Sequence, residues 1–482
     1  MGERAYTPTN PLLVGRQREL ELLWRQLQAA ADGALRVALI AGEPGIGKTR
    51  LLDTVAQRAG REGIVVLRGG ASEAEGMPPY LPFLDALGQH IRSTDAALLR
   101  EQAGAAAPTL AALLPELGER LGALPSGYPL PPDQARLRLY EAIGAFLAAL
   151  AAPSSLVLLL DDLQWADAAT LDVLCHIARH QPAARLLIIG AYREGEVAHH
   201  SAFQRAVAEL NRLRALTTIA AGPLSEAEIS ALAAACLGAP VAAPLGRLLF
   251  TQSEGNPFFA EELLRGWMET GALGLDEGFR RGDLYWTPAA SIETALPSSI
   301  VGAVRQRLAR LAPEVVELLR GAAIIGRRFD AALLAEVAGQ ELDAVEDRLV
   351  DASRVLLIHS NPTGTFTFSH DKIRECLYAE VTATRRRRLH GFIGQALEGH
   401  PESAQQLAEL AFHFTRSGDR ARGATYARCA AEQALGAYAP ETALPHFRAA
   451  LDLLDADDER RGELLFGLGE AATLAEIGRA HV

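Results

Sequence analysis

The run from Leu35 to Asp53, Leu-Arg-Val-Ala-Leu-Ile-Ala-Gly-Glu-Pro-Gly-Ile-Gly-Lys-Thr-Arg-Leu-Leu-Asp, constrains this chain more than any other stretch. Apolar, partly β-branched residues end at Gly42, a glycine-rich turn follows, and from Lys48 the apolar positions take helical spacing. It reads as strand, loop, helix. Such a loop lets successive backbone N–H groups converge on one point, at which the positive end of the helix is also aimed. A phosphate answers both demands. Lys48 supplies a mobile charge for β/γ oxygens, and the Thr49 hydroxyl is a hard oxygen ligand suited to Mg²⁺. Every fixed position of G-x-x-x-x-G-K-[ST] is filled, in the strand-to-helix setting the pattern requires. The chain uses Arg almost exclusively, and Lys48 is one of only two lysines, so a basic residue placed here for charge alone would have been Arg. The segment expected to touch a nucleotide is Gly42, Glu43, Pro44, Gly45, Ile46, Gly47, Lys48, Thr49 and Arg50.

At 482 residues the chain exceeds what one hydrophobic core usually supports, which predicts two to four domains. A hydrophobic content of 49% with 22% charged residues describes a globular chain. The balance of 47 Lys+Arg against 59 Asp+Glu, net −12, argues against nonspecific nucleic-acid binding by the bulk of the surface. Cys175, Cys236, Cys376 and Cys429 are far apart with no C-x-x-C pair, as expected of buried, reduced thiols in the cytoplasm. The polar stretch Met1 to Pro11 has no apolar signal core. Ala142 to Leu160 is uncharged over the length of a membrane span, but Pro153-Ser154-Ser155 divides it into a helical half and a β-type half, so no membrane contact is expected.

Leu20, Leu23, Trp24 and Leu27 fall on one face of a helix that opens at Gly15-Arg16, either an ordinary helix start or a place where a guanidinium meets a nucleotide. Ile64 to Leu67 is a second β run, Pro78-Pro79-Tyr80-Leu-Pro82 a rigid break, and the alanine-rich region to Leu114 helical. Asp133 is expected to cap a helix with the stripe Leu139, Ile143, Phe146, Leu147 and Leu150. The strand Leu156 to Leu160 is apolar on both faces and ends in Asp161-Asp162, and in a doubly wound sheet ligands collect at the carboxyl ends of strands. Two adjacent acids there are costly without a cation. Asp161 is the natural partner for an ion held by Thr49; Asp162 either orients an attacking water or caps the next turn. The run Arg185 to Ala191 leads to Tyr192-Arg193, where Arg193 is a candidate γ-phosphate reporter or else a salt-bridged surface residue. His199-His200 reads as loop.

From Pro223 the pattern becomes helical, with a capping box at Ser225 to Glu228 and a helix from Pro257 to Met268 introduced by Gly255-Asn256. Helices are expected near Ser298–Leu311, Pro313–Ile325, Ala331–Val337 and Asp343–Ala352, closing with strands Val355–His359 and Thr365–Phe368, a winged-helix pattern. Arg385 to Arg388 is either a DNA-phosphate grip or a solvated face paired with acids. Ser403 to Leu454 is amphipathic helix rich in alanine, like the start of a tetratricopeptide-like array. The closing string Ile477 to Val482 equals the translation of a widely used sequencing adapter, so the chain is expected to be a fragment.

Taken together, Val14-Gly-Arg16, Gly42 to Thr49, Leu160-Asp-Asp-Leu-Gln-Trp-Ala-Asp167, Tyr192-Arg-Glu194, Gly255-Asn-Pro-Phe-Phe259 and Phe368-Ser-His-Asp371 resemble the signal-transducing ATPases with numerous domains, a branch of the AAA+ P-loop ATPases. The likeness is to the module of large ATP-binding LuxR-type transcription regulators, also found behind adenylate cyclase domains. It implies an α/β P-loop NTPase with a parallel sheet (11–222), an all-α lid (223–295), a winged-helix domain (296–398) and the start of a TPR-like α-solenoid (399–482). It further implies ATP/ADP and Mg²⁺ as cofactors, Arg16 at the adenine end, Pro223 against the base, Arg193 as sensor arginine and His370 on the β-phosphate of ADP. Gln17 stands where such proteins carry an acid. The implied activity is a switch with slow hydrolysis, self-associating in the ATP state and answering a small-molecule or protein inducer. DNA contact would belong to a C-terminal helix-turn-helix. The alternatives are a non-hydrolysing ATP-binding scaffold and the regulatory part of a nucleotide cyclase.

Overall fold

The computed structural model describes residues 13–72, 77–124, 130–198, 200–277, 284–288, 300–309, 311–355, 357–361, 364–400 and 406–480. The polar leader, most of the loop from Pro125, His199, Leu296 to Ser298 and the last two residues lie outside the described residues. The backbone groups into two compact units: a sheet unit of Gln17–Glu43, Lys48–Ala221 and residues from Glu398 on, and a helical unit of Arg16 with the described residues before it, Pro44–Gly47 and Gly222–Leu397.

In the sheet unit the chain runs through α1 (Gln17–Ala31), β1 (Arg36–Ala41), α2 (Lys48–Arg61), β2 (Val65–Gly70), α3 (Leu81–Ser93), α4 (Ala96–Ala103), α5 (Ala107–Leu113), α6 (Pro115–Leu121), α7 (Pro132–Ala151), β3 (Leu156–Asp161), α8 (Ala168–His180), β4 (Leu186–Tyr192), α9 (Ser201–Arg212) and β5 (Leu216–Ala220). The five strands are parallel in the order β2-β3-β4-β1-β5. Parallel strands connected by helices are covered on both faces, which is why β1, β3 and β4 read as unbroken apolar runs and are almost wholly buried. With Ala41 opposite Tyr192 and Leu160 opposite Gly190, the chain leaves β1, β4 and β3 along one edge. The α7 stripe is buried as its spacing predicts, but Asp133 lies inside the first turn and Pro131 holds the cap position without a side-chain bond. A Pro at the first helical position needs no donor, so the start does without an acid cap.

In the helical unit, α10 (Glu226–Leu237), α11 (Ala243–Ser253) and α12 (Pro257–Glu269) pack around the fully buried Trp267. Ser225 and Glu228 form the expected capping box. The segment expected to be all-α also holds an antiparallel hairpin, β6 (Leu273–Glu277) and β7 (Leu284–Pro288). Its two short runs carry Leu275, Leu284, Tyr285 and Trp286, residues that suit strands better than a continued helix. Next come α13 (Ile300–Leu308), α14 (Pro313–Ile325), β8 (Arg328–Asp330), α15 (Ala331–Ala338), α16 (Leu342–Arg354), β9 (Ile358–Ser360), β10 (Thr365–Phe368), α17 (Asp371–Glu380) and α18 (Ala383–Gly399). Besides the two expected strands, three-residue β8 pairs with β10, giving the order β8-β10-β9. In the basic run, Arg385 pairs with Glu317, Arg386 lies over the Tyr378 ring, and Arg387 and Arg388 are exposed.

The chain then returns to the sheet unit with α19 (Leu407–Ser417), α20 (Arg420–Gly436), α21 (Pro440–Leu453) and α22 (Arg461–Ala480). Ala424, Ala427, Ala431 and Ala434 of α20 pack with Ala443, Phe447 and Ala450 of α21, the small side chains letting the helices approach closely. The Tyr80 hydroxyl donates to the Ala437 carbonyl (3.0 Å), fastening the α20–α21 turn to the start of α3. Among the described helices none is long and apolar enough to cross a membrane.

Candidate functional site

Gly45 and Gly47 have φ of 82° and 98°, conformations an L side chain rarely takes, so these glycines are demanded by the backbone of the loop. In the sheet unit, Lys48 is buried and its ammonium donates to the carbonyls of Gly42 (2.9 Å) and Glu43 (3.0 Å). Arg50 is half-buried in the first turn of α2. The Thr49 hydroxyl donates to Asp161 Oδ2 at 2.8 Å, so residues 112 apart in sequence bring two hard oxygens together where β3 ends. That donor set suits Mg²⁺, and Thr49 and Asp161 would hold it. When bound, the ion would neutralise charge on phosphate oxygens.

Each residue after Asp161 has an identifiable task. Asp162 sits in the left-handed region (φ 56°, ψ 40°), turning the chain sharply out of β3. Leu163 fills a notch at Gly190 of β4, where a Cβ would stand 2.3 Å from Leu163 Cδ1. Gln164 is buried; its Nε2 donates to Asp162 Oδ1 (2.9 Å) and its Oε1 accepts from the Arg193 backbone N–H (3.1 Å). The Trp165 ring carries the Arg193 guanidinium at 4.7 Å, and Arg193 also pairs with Glu196 at 2.9 Å. Asp167 caps α8 through the Thr170 N–H and hydroxyl and also accepts from the Tyr80 N–H (3.1 Å). Burial pushes the Asp167 carboxyl above its ordinary value in spite of these bonds. His200, expected as loop, caps α9: its Nδ1 accepts from the Phe203 N–H, and its Nε2 lies 3.1 Å from the Ala166 carbonyl.

In the helical unit, buried Arg16 (φ 66°) donates to the carbonyls of Ile46 (3.0 Å) and Gly222 (2.5 Å). Asn256 caps α12 and donates to the Pro44 carbonyl (3.1 Å), while the Phe258 N–H reaches Gly45 O (3.3 Å). Pro223 is exposed. His370 stacks on Phe258, ring centroids 3.9 Å apart, and caps α17 by accepting from the Lys372 N–H. That bond makes Nδ1 the acceptor, so a neutral His370 carries its proton on Nε2.

The structure thus brings Lys48, Thr49, Asp161, Asp162 and Arg193 to one edge of the sheet. In the helical unit it gathers Arg16, Pro44, Gly45 and Ile46. Asn256 opens α12 as the sequence predicts, but its bond to the Pro44 carbonyl and the two bonds of Gln164 had no signal in the sequence.

The parallel sheet with this loop resembles the P-loop fold of the STAND ATPases. Residues 12–189 match the AAA ATPase domain family. No curated protein matches the sequence significantly. Among solved structures, a signal transduction ATPase with numerous domains and a tetratricopeptide repeat sensor from Pyrococcus horikoshii aligns over 98% of this chain and 63% of its own, with TM-score 0.50 and 13% identity. A Walker-type ATPase of Pyrococcus abyssi aligns over 76% of this chain and 96% of its own, with TM-score 0.37 and 13% identity. At 13% identity the likeness to the first is one of fold alone, and this chain spans under two thirds of that structure's length.

Proposed function

We propose that this chain is an ATP-binding signalling switch that hydrolyses ATP slowly. The observation that carries the reading is the 2.8 Å pairing of Thr49 with Asp161 beside the buried Lys48. Lys48 meets phosphate oxygens, Asp162 places the water, and Arg193 responds to the γ-phosphate. ADP and ATP must then bind two forms of the protein with free energies differing by a few kcal/mol, since equal affinity would shift nothing.

The finer reading is the ATPase module of a LuxR-type transcription regulator that self-associates with ATP and an inducer, DNA contact lying in a helix-turn-helix beyond Val482. Helices α13 to α18 around a three-stranded antiparallel sheet support the winged-helix assignment, and the alanine-lined α19 to α22 support a TPR-like array. Lys48→Ala is expected to abolish ATP and ADP binding by titration calorimetry while leaving the circular dichroism spectrum unchanged; undiminished affinity in that variant refutes the site.

A further inference from the structure

We propose that Gln164 is a positioning residue for the hydrolytic step: it fixes the Asp162 carboxylate by tying it to the backbone at the end of β4. The proposal rests on the ATPase reading above and deepens it. The Arg193 N–H can only donate, so the atom facing it at 3.1 Å is Gln164 Oε1. The amide hydrogens therefore point at Asp162 Oδ1, 2.9 Å away. A single amide thus links the carboxyl ends of adjacent strands in the one orientation that donates to a carboxylate.

Three further observations fit this role. Gln164 is only 4% exposed, so its bonds do not compete with bulk water. Asp162 is held in a left-handed conformation that needs restraint from its surroundings. The Leu163 side chain, seated in the Gly190 notch, presses the same turn onto β4 from the apolar side. In the reaction the water oxygen bonds to the γ-phosphorus as the bond from that phosphorus to the β–γ bridging oxygen breaks. ADP leaves with the electron pair, and the water proton passes to Asp162 and on to solvent. A carboxylate that lacks this bond would sample orientations that do not face the water, lowering turnover and sparing affinity.

Gln164→Glu keeps the size and the acceptor for the Arg193 N–H but, as a carboxylate, has no hydrogen to give Asp162. Single-turnover phosphate release is expected to fall at least about tenfold. ATP affinity should stay within about threefold. Gln164→Met, which removes both hydrogen bonds without adding charge, should likewise lose rate at constant affinity, and it decides the matter where Gln164→Glu does not fold. Rates within about twofold of wild type overturn the proposal, as does a loss of rate that only mirrors a loss of ATP binding. A wild-type chain that binds ATP and releases no phosphate also overturns it, leaving the binding reading intact; one that binds no nucleotide refutes that reading instead.

Discussion

At the scale of single residues, the turn after β3 is a compact device in which neighbours in sequence face different partners. Asp161 meets Thr49, Leu163 meets Gly190 and Gln164 meets the Arg193 peptide. Gly190→Ala would drive a methyl group into Leu163 and Leu39, both fully or nearly buried. Overpacking of this kind costs about 1–3 kcal/mol, so the variant is expected to melt several degrees lower by calorimetry, with slower phosphate release because the turn is displaced. An unchanged melting temperature would show that the notch has slack. The pair Lys48–Thr49 and the acid Asp161 were legible in the sequence because their chemistry is tied to a fixed local pattern. The work of Gln164 was not, since a buried glutamine announces nothing until its two partners, one of them a backbone N–H on another strand, are brought beside it.

At the scale of elements, long periodic segments were readable and short ones were not. Pro313–Ile325 and Thr365–Phe368 have the bounds their patterns predict, whereas three-residue β8 and the hairpin β6–β7 depend on pairing that no local signal reports. The docking of α21 near α8 is another such non-local fact. It has a measurable consequence, because burial, reinforced by Glu441 and opposed by Arg136 and Arg205, pushes the Asp172 carboxyl up to about 6. The folded protein therefore holds this proton more tightly than the unfolded chain does. Stability from this group is highest at low pH and is lost as pH rises from the ordinary carboxylate value through about 6. Asp172→Asn is expected to raise the melting temperature at pH 8 and to leave it nearly unchanged at pH 4; a gain that is equal at both values would show that charge is not the cause.

At the scale of the whole molecule, the chain changes unit after Arg16, Glu43, Gly47, Ala221 and Leu397. Composition predicted several domains, and the change of pattern at Pro223 was readable, but the grouping of the alanine-rich helices after Glu398 with the sheet was not. Small residues declare that a helix packs closely and are silent about its partner. Within the helical unit, Asn256→Ala removes the side-chain bond to the Pro44 carbonyl. One such hydrogen bond at about 1 kcal/mol predicts ATP affinity weaker by roughly fivefold than in the wild-type chain, measured by calorimetry. Equal affinity would mean that the loop keeps its shape unaided. The same five passages carry a genetic corollary. No contiguous piece of the gene encodes either unit whole, so a recombination event that moves one of them intact has to carry the other along.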